Sequence, residues 1–93
     1  MPELNTIREA IDAIAAGKFV VVVDDEDREN EGDLIIAAEC VTAQDMAFMV
    51  KYTSGVVCCP ITHERADALH LPLMVANNTE AMGTAFTVSV DVD

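Results

Sequence analysis

Two short apolar runs, Phe19 to Val23 and Leu34 to Ala38, enclose the stretch Asp24 to Asp33, which carries seven of the chain's 17 acidic side chains. A solvated tail has no reason to be anchored at both ends by segments that seek burial, whereas a functional loop held by a scaffold does. If the chain runs extended from Arg28, side chains alternate, so Glu29, Glu31 and Asp33 share one side and Arg28, Asn30 and Gly32 the other. Successive carboxylates then stand roughly 6.5 to 7 Å apart. Such a row either faces bulk water or has a cation or a substrate proton among it, because like charges otherwise oppose one another's ionisation. This pattern is read as a divalent-metal and proton-transfer site, with a charged, solvated turn as the competing reading. A calcium loop is excluded. Counted from Asp27, its twelfth position falls on Ala38 instead of a bidentate glutamate, within a run that reads as strand.

A length of 93 residues allows one small domain. The composition, 52% apolar with only 4% aromatic, is rich in Val, Ile, Leu and Ala, as an α/β domain with buried strands requires. Five basic residues against 17 acidic give a net charge of -12, so there is no basic patch to grip a phosphate backbone and nucleic acid is excluded as a partner. No segment approaches the roughly 18 to 20 apolar residues of a membrane span, and the first residues lack the features of a signal peptide. The expectation is a cytoplasmic protein with no membrane partner. Three cysteines, Cys40, Cys58 and Cys59, fit neither a disulfide framework nor a zinc site, so reduced thiols are expected.

Ile7, Ala10, Ile11 and Ile14 follow the spacing of an amphipathic helix, with Thr6 and Glu9 in capping-box positions and Gly17 as the stop. Phe19 to Val23 is too short for a buried helix and reads as a central strand; Leu34 to Ala38 reads as the next. Thr42, with Asp45 three residues on, opens a second helix whose apolar face is Met46, Met49 and Val50. Val56 to Cys59 is expected as a short strand closed by Pro60, and Thr62 as the cap of a third helix reaching Leu69. Phe86, Val88, Val90 and Val92 alternate with polar residues, which predicts a half-exposed strand. Met46, Met49 and Met82 are expected as core filler and Cys59 as a small buried hydrophobe. Elements alternate without linker or repeat, so one α/β domain is expected with no internal boundary. It reads as incomplete, because nothing follows to cover the last strand.

Three segments carry a resemblance: Asp24 to Ile35 (DDEDRENEGDLI), Thr53-Ser54-Gly55-Val56-Val57-Cys58, and Leu71-Pro72 through Asn77-Asn78-Thr79 to Gly83-Thr84-Ala85-Phe86-Thr87-Val88. In these the chain resembles the 3,4-dihydroxy-2-butanone-4-phosphate synthases of riboflavin biosynthesis, over its whole length but over only about the first half of the family's domain. The resemblance implies a mixed-sheet α/β/α sandwich, truncated, with residues 1–93 as the N-terminal part of one domain. It also implies an enzyme that converts D-ribulose 5-phosphate to formate and 3,4-dihydroxy-2-butanone 4-phosphate with Mg2+ or Mn2+, in a homodimer. By the same resemblance Glu29 matches the metal-binding glutamate, Arg28 and Glu29 substrate contacts, and Asp33 a substrate-contacting acid/base residue. Glu31 and Cys58 match positions important for activity, although the residue type of Cys58 fits packing equally well. Thr84, beside the last strand, is a candidate substrate hydroxyl, with a structural role as the alternative.

The family's histidine ligand, in an Arg-x-Gly-His stretch, and its phosphate-holding Thr-Gly-Ile-Ser-like segment have no counterpart in these residues. His63 and His70 belong to helix ends and do not replace the ligand. One carboxylate plus water makes a weak magnesium site, so the chain by itself is expected to be inactive. Its expected context is the single-domain synthase, the bifunctional form with GTP cyclohydrolase II, or a non-catalytic remnant.

Overall fold

The computed structural model describes residues 4–28, 30–74 and 85–91. Its elements are α1 (Ile7–Ala15), β1 (Val20–Val23), β2 (Gly32–Ile35), α2 (Ala43–Tyr52) and α3 (His63–Ala68). They belong to two compact units, residues 1–59 and 60–93.

In the first unit, α1 begins as its sequence dictates. Thr6 Oγ1 accepts from the Glu9 N–H at 3.1 Å and Glu9 Oε1 accepts from the Thr6 N–H at 3.0 Å, which satisfies two of the donors left over at a helix start. The helix ends in a Schellman turn: the Gly17 N–H donates to the Ile14 carbonyl at 3.1 Å and the Lys18 N–H to the Ala13 carbonyl at 2.9 Å. Gly17 takes φ +78, a left-handed conformation that favours glycine, and a Cβ there would stand a tight 3.3 Å from Cys40 Cβ.

The chain then runs through β1 and returns antiparallel in β2, pairing Val20 with Ile35, Val21 with Leu34, Val22 with Asp33 and Val23 with Gly32. Two expectations change here. The second strand is shifted toward the acidic loop, Gly32–Ile35 instead of Leu34–Ala38, because a tight pairing uses the residues nearest the loop, and residues 38–40 turn away. The first strand is not a buried central one. Val21 is 65% exposed and Val23 52%, because the described sheet has two strands and α1 packs on β1.

Helix α2 repeats the capping logic, Thr42 with Asp45 at 3.0 and 3.1 Å. Its Phe48 ring stacks tilted on Phe19, 5.4 Å between centroids, and on Tyr52 at 4.8 Å, tying the helix to the residue that precedes β1. Met49 is half-buried, but Met46 and Val50 are exposed, so the expected apolar face is only partly covered; Met82 lies outside the described residues. Val56 to Cys59 does not form the expected strand, for no second strand pairs with it among the described residues, and Cys59 is exposed instead of buried.

In the second unit Thr62 caps α3 through the Arg65 N–H at 3.1 Å. The helix closes with a Schellman turn at His70, φ +57, where Leu71 N–H reaches the Ala66 carbonyl at 2.9 Å. Of the strand expected over Phe86 to Val92, the described residues show one antiparallel bridge, Leu73 with Thr87, flanked by bonds from the Met74 N–H to the Phe86 carbonyl and from the Val88 N–H to the Pro72 carbonyl, and Val92 lies outside the described residues. Among the described residues no side chain is fully buried. The described residues thus supply the local elements without a second layer over their apolar faces.

The start of α1 carries a pH dependence. The Glu9 carboxyl is held below the ordinary glutamate range, first by the bond from the Thr6 backbone N–H and then by the side chains of Asn5 and Thr6. A depressed folded-state value means that the stabilisation is present above the ordinary glutamate range and is lost as pH falls through the depressed value. Acid titration followed by NMR should show the Glu9 and Ala10 amide shifts moving toward coil values as Glu9 protonates. Glu9→Gln should remove that movement, and its persistence in the variant would contradict the cap's role.

Candidate functional site

The acidic segment is the end of the β1–β2 hairpin. The ladder continues one step beyond the strands: the Asp24 N–H donates to the Glu31 carbonyl at 3.2 Å. The return bond is made by a side chain, with the Glu31 N–H donating to Asp24 Oδ1 at 2.9 Å. The other oxygen, Asp24 Oδ2, accepts from Arg28 Nη1 at 3.1 Å. Inside this clasp the N–H groups of Arg28 and Asn30 both donate to the Asp25 carbonyl, at 3.0 and 3.2 Å. Asn30 takes φ +52, a conformation that asparagine tolerates better than most side chains. The Asp24 side chain is only 23% exposed, against 56% for Arg28.

This geometry interrupts the extended run expected from Arg28, and the place of Glu29 in the expected row lies outside the described residues. Residues 26–28 form a turn and Asn30 is left-handed, so side-chain alternation is reset before β2 and does not run unbroken from Arg28. Glu31 and Asp33 do follow one another at a two-residue step on the returning arm. Both are exposed, and Asp33 stands opposite Val22 on the face that also carries Val20 and Ile35. Glu29 and Thr84 lie outside the described residues. Cys58 is exposed beyond α2, and its neighbour Cys59 likewise. The hydrogen bonds thus gather Asp24, Arg28 and Glu31 and deliver Asp33 next to them; Cys58 is not part of that network.

Sequence reasoning missed Asp24. Its signal was present: an aspartate directly after a β run, four residues before an arginine, is well placed to clasp a turn.

Hard carboxylate oxygens suit Mg2+ or Mn2+, but among the described residues no three His, Cys, Asp or Glu side chains converge on a common point. The described set does not by itself close a metal site. His70 closes the C-terminal turn of α3 and His63 is its first residue, so both have structural placements.

The clasp is testable by amide exchange. Asp24→Ala removes the acceptor for Glu31 N–H, and a charge-assisted bond of about 1.5 kcal/mol corresponds to roughly tenfold faster exchange at Glu31. The Val22 and Asp33 amides, at the next hydrogen-bonded pair down the ladder, should change less. Equal acceleration along the hairpin, or none at Glu31, would contradict the clasp.

A protein-family model described as 3,4-dihydroxy-2-butanone 4-phosphate synthase matches residues 8–93. A 3,4-dihydroxy-2-butanone 4-phosphate synthase of Pseudomonas aeruginosa is 59% identical over 88 residues, 95% of this chain and 24% of that protein. The riboflavin biosynthesis protein RibBA of Parabacteroides distasonis is 60% identical over 89 residues, 96% of this chain and 22% of that protein. Among solved structures, a 3,4-dihydroxy-2-butanone 4-phosphate synthase in complex with two magnesium ions superposes with a TM-score of 0.87 at 57% identity, covering 95% of this chain and 41% of that one. The fold is therefore the α/β fold of these enzymes, of which the described residues supply helices and an antiparallel strand pair. The chain spans about a quarter of the two curated relatives' length and two fifths of the solved one. With the acidic hairpin, the family model and these relatives in agreement, the chain belongs to the 3,4-dihydroxy-2-butanone 4-phosphate synthase family.

Proposed function

We propose that residues 1–93 form the N-terminal part of a single synthase domain that converts D-ribulose 5-phosphate to formate and 3,4-dihydroxy-2-butanone 4-phosphate. The observation that carries this reading is the clasped acidic hairpin, which presents Glu31 and Asp33 from one returning arm, in a chain 57% identical to a synthase holding two magnesium ions. The proposed enzyme is a divalent-metal-dependent lyase, using Mg2+ or Mn2+, and Glu29 is the proposed metal-binding residue. When bound, such a cation places positive charge against developing oxyanions.

The reaction requires proton movement at several points: removal of a proton beside the ketone to give an enediol, loss of a hydroxyl, skeletal migration and release of one carbon as formate. Asp33 is the proposed acid/base residue. An exposed carboxylate on a strand next to a second carboxylate can accept a proton from carbon and return it to oxygen. Glu31 helps to set the negative charge of the loop, and Arg28 and Glu29 contact the sugar phosphate. Arg28 is pre-oriented for this by its bond to Asp24. Thr84 is a further proposed substrate contact and Cys58 a further residue needed for activity. A homodimer in the cytoplasm is the proposed setting; no helix among the described residues is long and apolar enough to cross a membrane.

The relative named riboflavin biosynthesis protein RibBA, of which this chain covers 22%, favours a second reading: the segment belongs to the bifunctional form with GTP cyclohydrolase II that the family resemblance implies. In either setting the test is Asp33→Asn in a complete synthase containing these residues. Loss of a general acid/base should lower turnover about 10²- to 10⁴-fold while magnesium affinity stays within a few-fold. Undiminished formate release would rule out the assignment.

A further inference from the structure

Between Asp24 and Asp33 the sequence sets seven acidic side chains around one basic one, Arg28. A single guanidinium among so many carboxylates has several comparable partners, and exchange among them leaves its direction unset. The hairpin settles the choice. Asp24 holds Arg28 Nη1 through Oδ2 at 3.1 Å, and Asp24 is itself held, because its Oδ1 accepts the Glu31 N–H at 2.9 Å and its own N–H donates to the Glu31 carbonyl at 3.2 Å. It is half-buried, whereas Asp25, Glu26, Asp27, Glu31 and Asp33 are exposed. A carboxylate already anchored on the ladder loses little further freedom in binding the arginine, so it is favoured over mobile neighbours.

We infer that Asp24 is a positioning residue for an anionic sugar phosphate: it ties the Arg28 guanidinium to the returning arm of the hairpin, so that Arg28 and Asp33 keep one fixed relation when the substrate arrives. The identity of the ligand rests on the proposed reaction; the fixing of Arg28 does not. Continuing the register one step from Val23 opposite Gly32 puts Asp24 opposite Glu31, and alternation places both on the face of Val22 and Asp33. Asp24 and Asp33 are then diagonal neighbours, about 7 to 8 Å apart, and the arginine held by one serves the same face as the other. The charge of the chain makes a held arginine necessary. A net charge of -12 opposes an approaching anion, so recognition requires a directed donor and not a diffuse field. Asp24→Asn separates the two bonds, because the amide oxygen still accepts the Glu31 N–H while the NH2 group then meets Arg28 as donor against donor.

Two measurements test this. In the 93-residue chain, 15N relaxation at Arg28 Nε should show an ordered side chain that becomes mobile in Asp24→Asn, while exchange of the Glu31 amide stays within about threefold of the unsubstituted chain. In a complete synthase containing these residues, Asp24→Asn should raise KM for D-ribulose 5-phosphate about tenfold with kcat within about threefold, and should add less than about twofold to KM once Arg28 is replaced by Ala. An Arg28 side chain equally ordered with and without the Asp24 charge would overturn the inference. So would a KM effect that persists in full in the Arg28→Ala background, or Glu31 exchange accelerated as much by Asp24→Asn as by Asp24→Ala, since Asp24 would then act on the hairpin alone. If the unsubstituted synthase releases no formate, the proposed reaction fails, and the relaxation of Arg28 decides by itself whether Asp24 holds it.

Discussion

The backbone ladder between Val20–Val23 and Gly32–Ile35, extended by Asp24 against Glu31, is the constraint on which the site depends. Left to itself, a polar segment with seven acidic side chains is free to sample many conformations. The ladder removes that freedom by fixing both ends, and Asp24 uses one negative charge to hold an N–H with one oxygen and an arginine with the other. Asp33 consequently sits at a defined register opposite Val22, and its position is a property of the strand and not of loop chance.

Much of this was legible in the residues because the signals are local. Thr6 with Glu9, Thr42 with Asp45, and Thr62 each announce a helix start through a hydroxyl that accepts a backbone N–H, and each does so in the structure. Gly17 ended α1 for the reason read from its type, the left-handed turn. The departures arise where the signal is non-local. Val56 to Cys59 and Phe86 to Val90 have strand composition, but composition states a preference for a pleated neighbour without stating where the neighbour is. The unbroken alternation from Arg28 failed for a different reason: Asn30 accepts a left-handed conformation, and one such residue resets the period.

The same distinction bears on the apolar faces that stay exposed among the described residues. Capping, helix periodicity and a four-pair hairpin can be satisfied within a few residues, whereas burial needs a second layer. Val21, Val23, Ile7 and Ile11 are patterned for that layer and remain exposed. The hairpin register joins the two patterns: Val20, Val22 and Ile35 share one face of the sheet with Asp33.

The most direct measurement of the account is an NMR determination of the hairpin in the 93-residue chain. Cross-strand NOEs between Val21 and Leu34 and between Val22 and Asp33, with a hydrogen-bond coupling from the Asp24 amide to the Glu31 carbonyl, are the result it predicts. Random-coil shifts from Asp24 to Asp33 with no cross-strand NOE would show a solvated acidic stretch and contradict it.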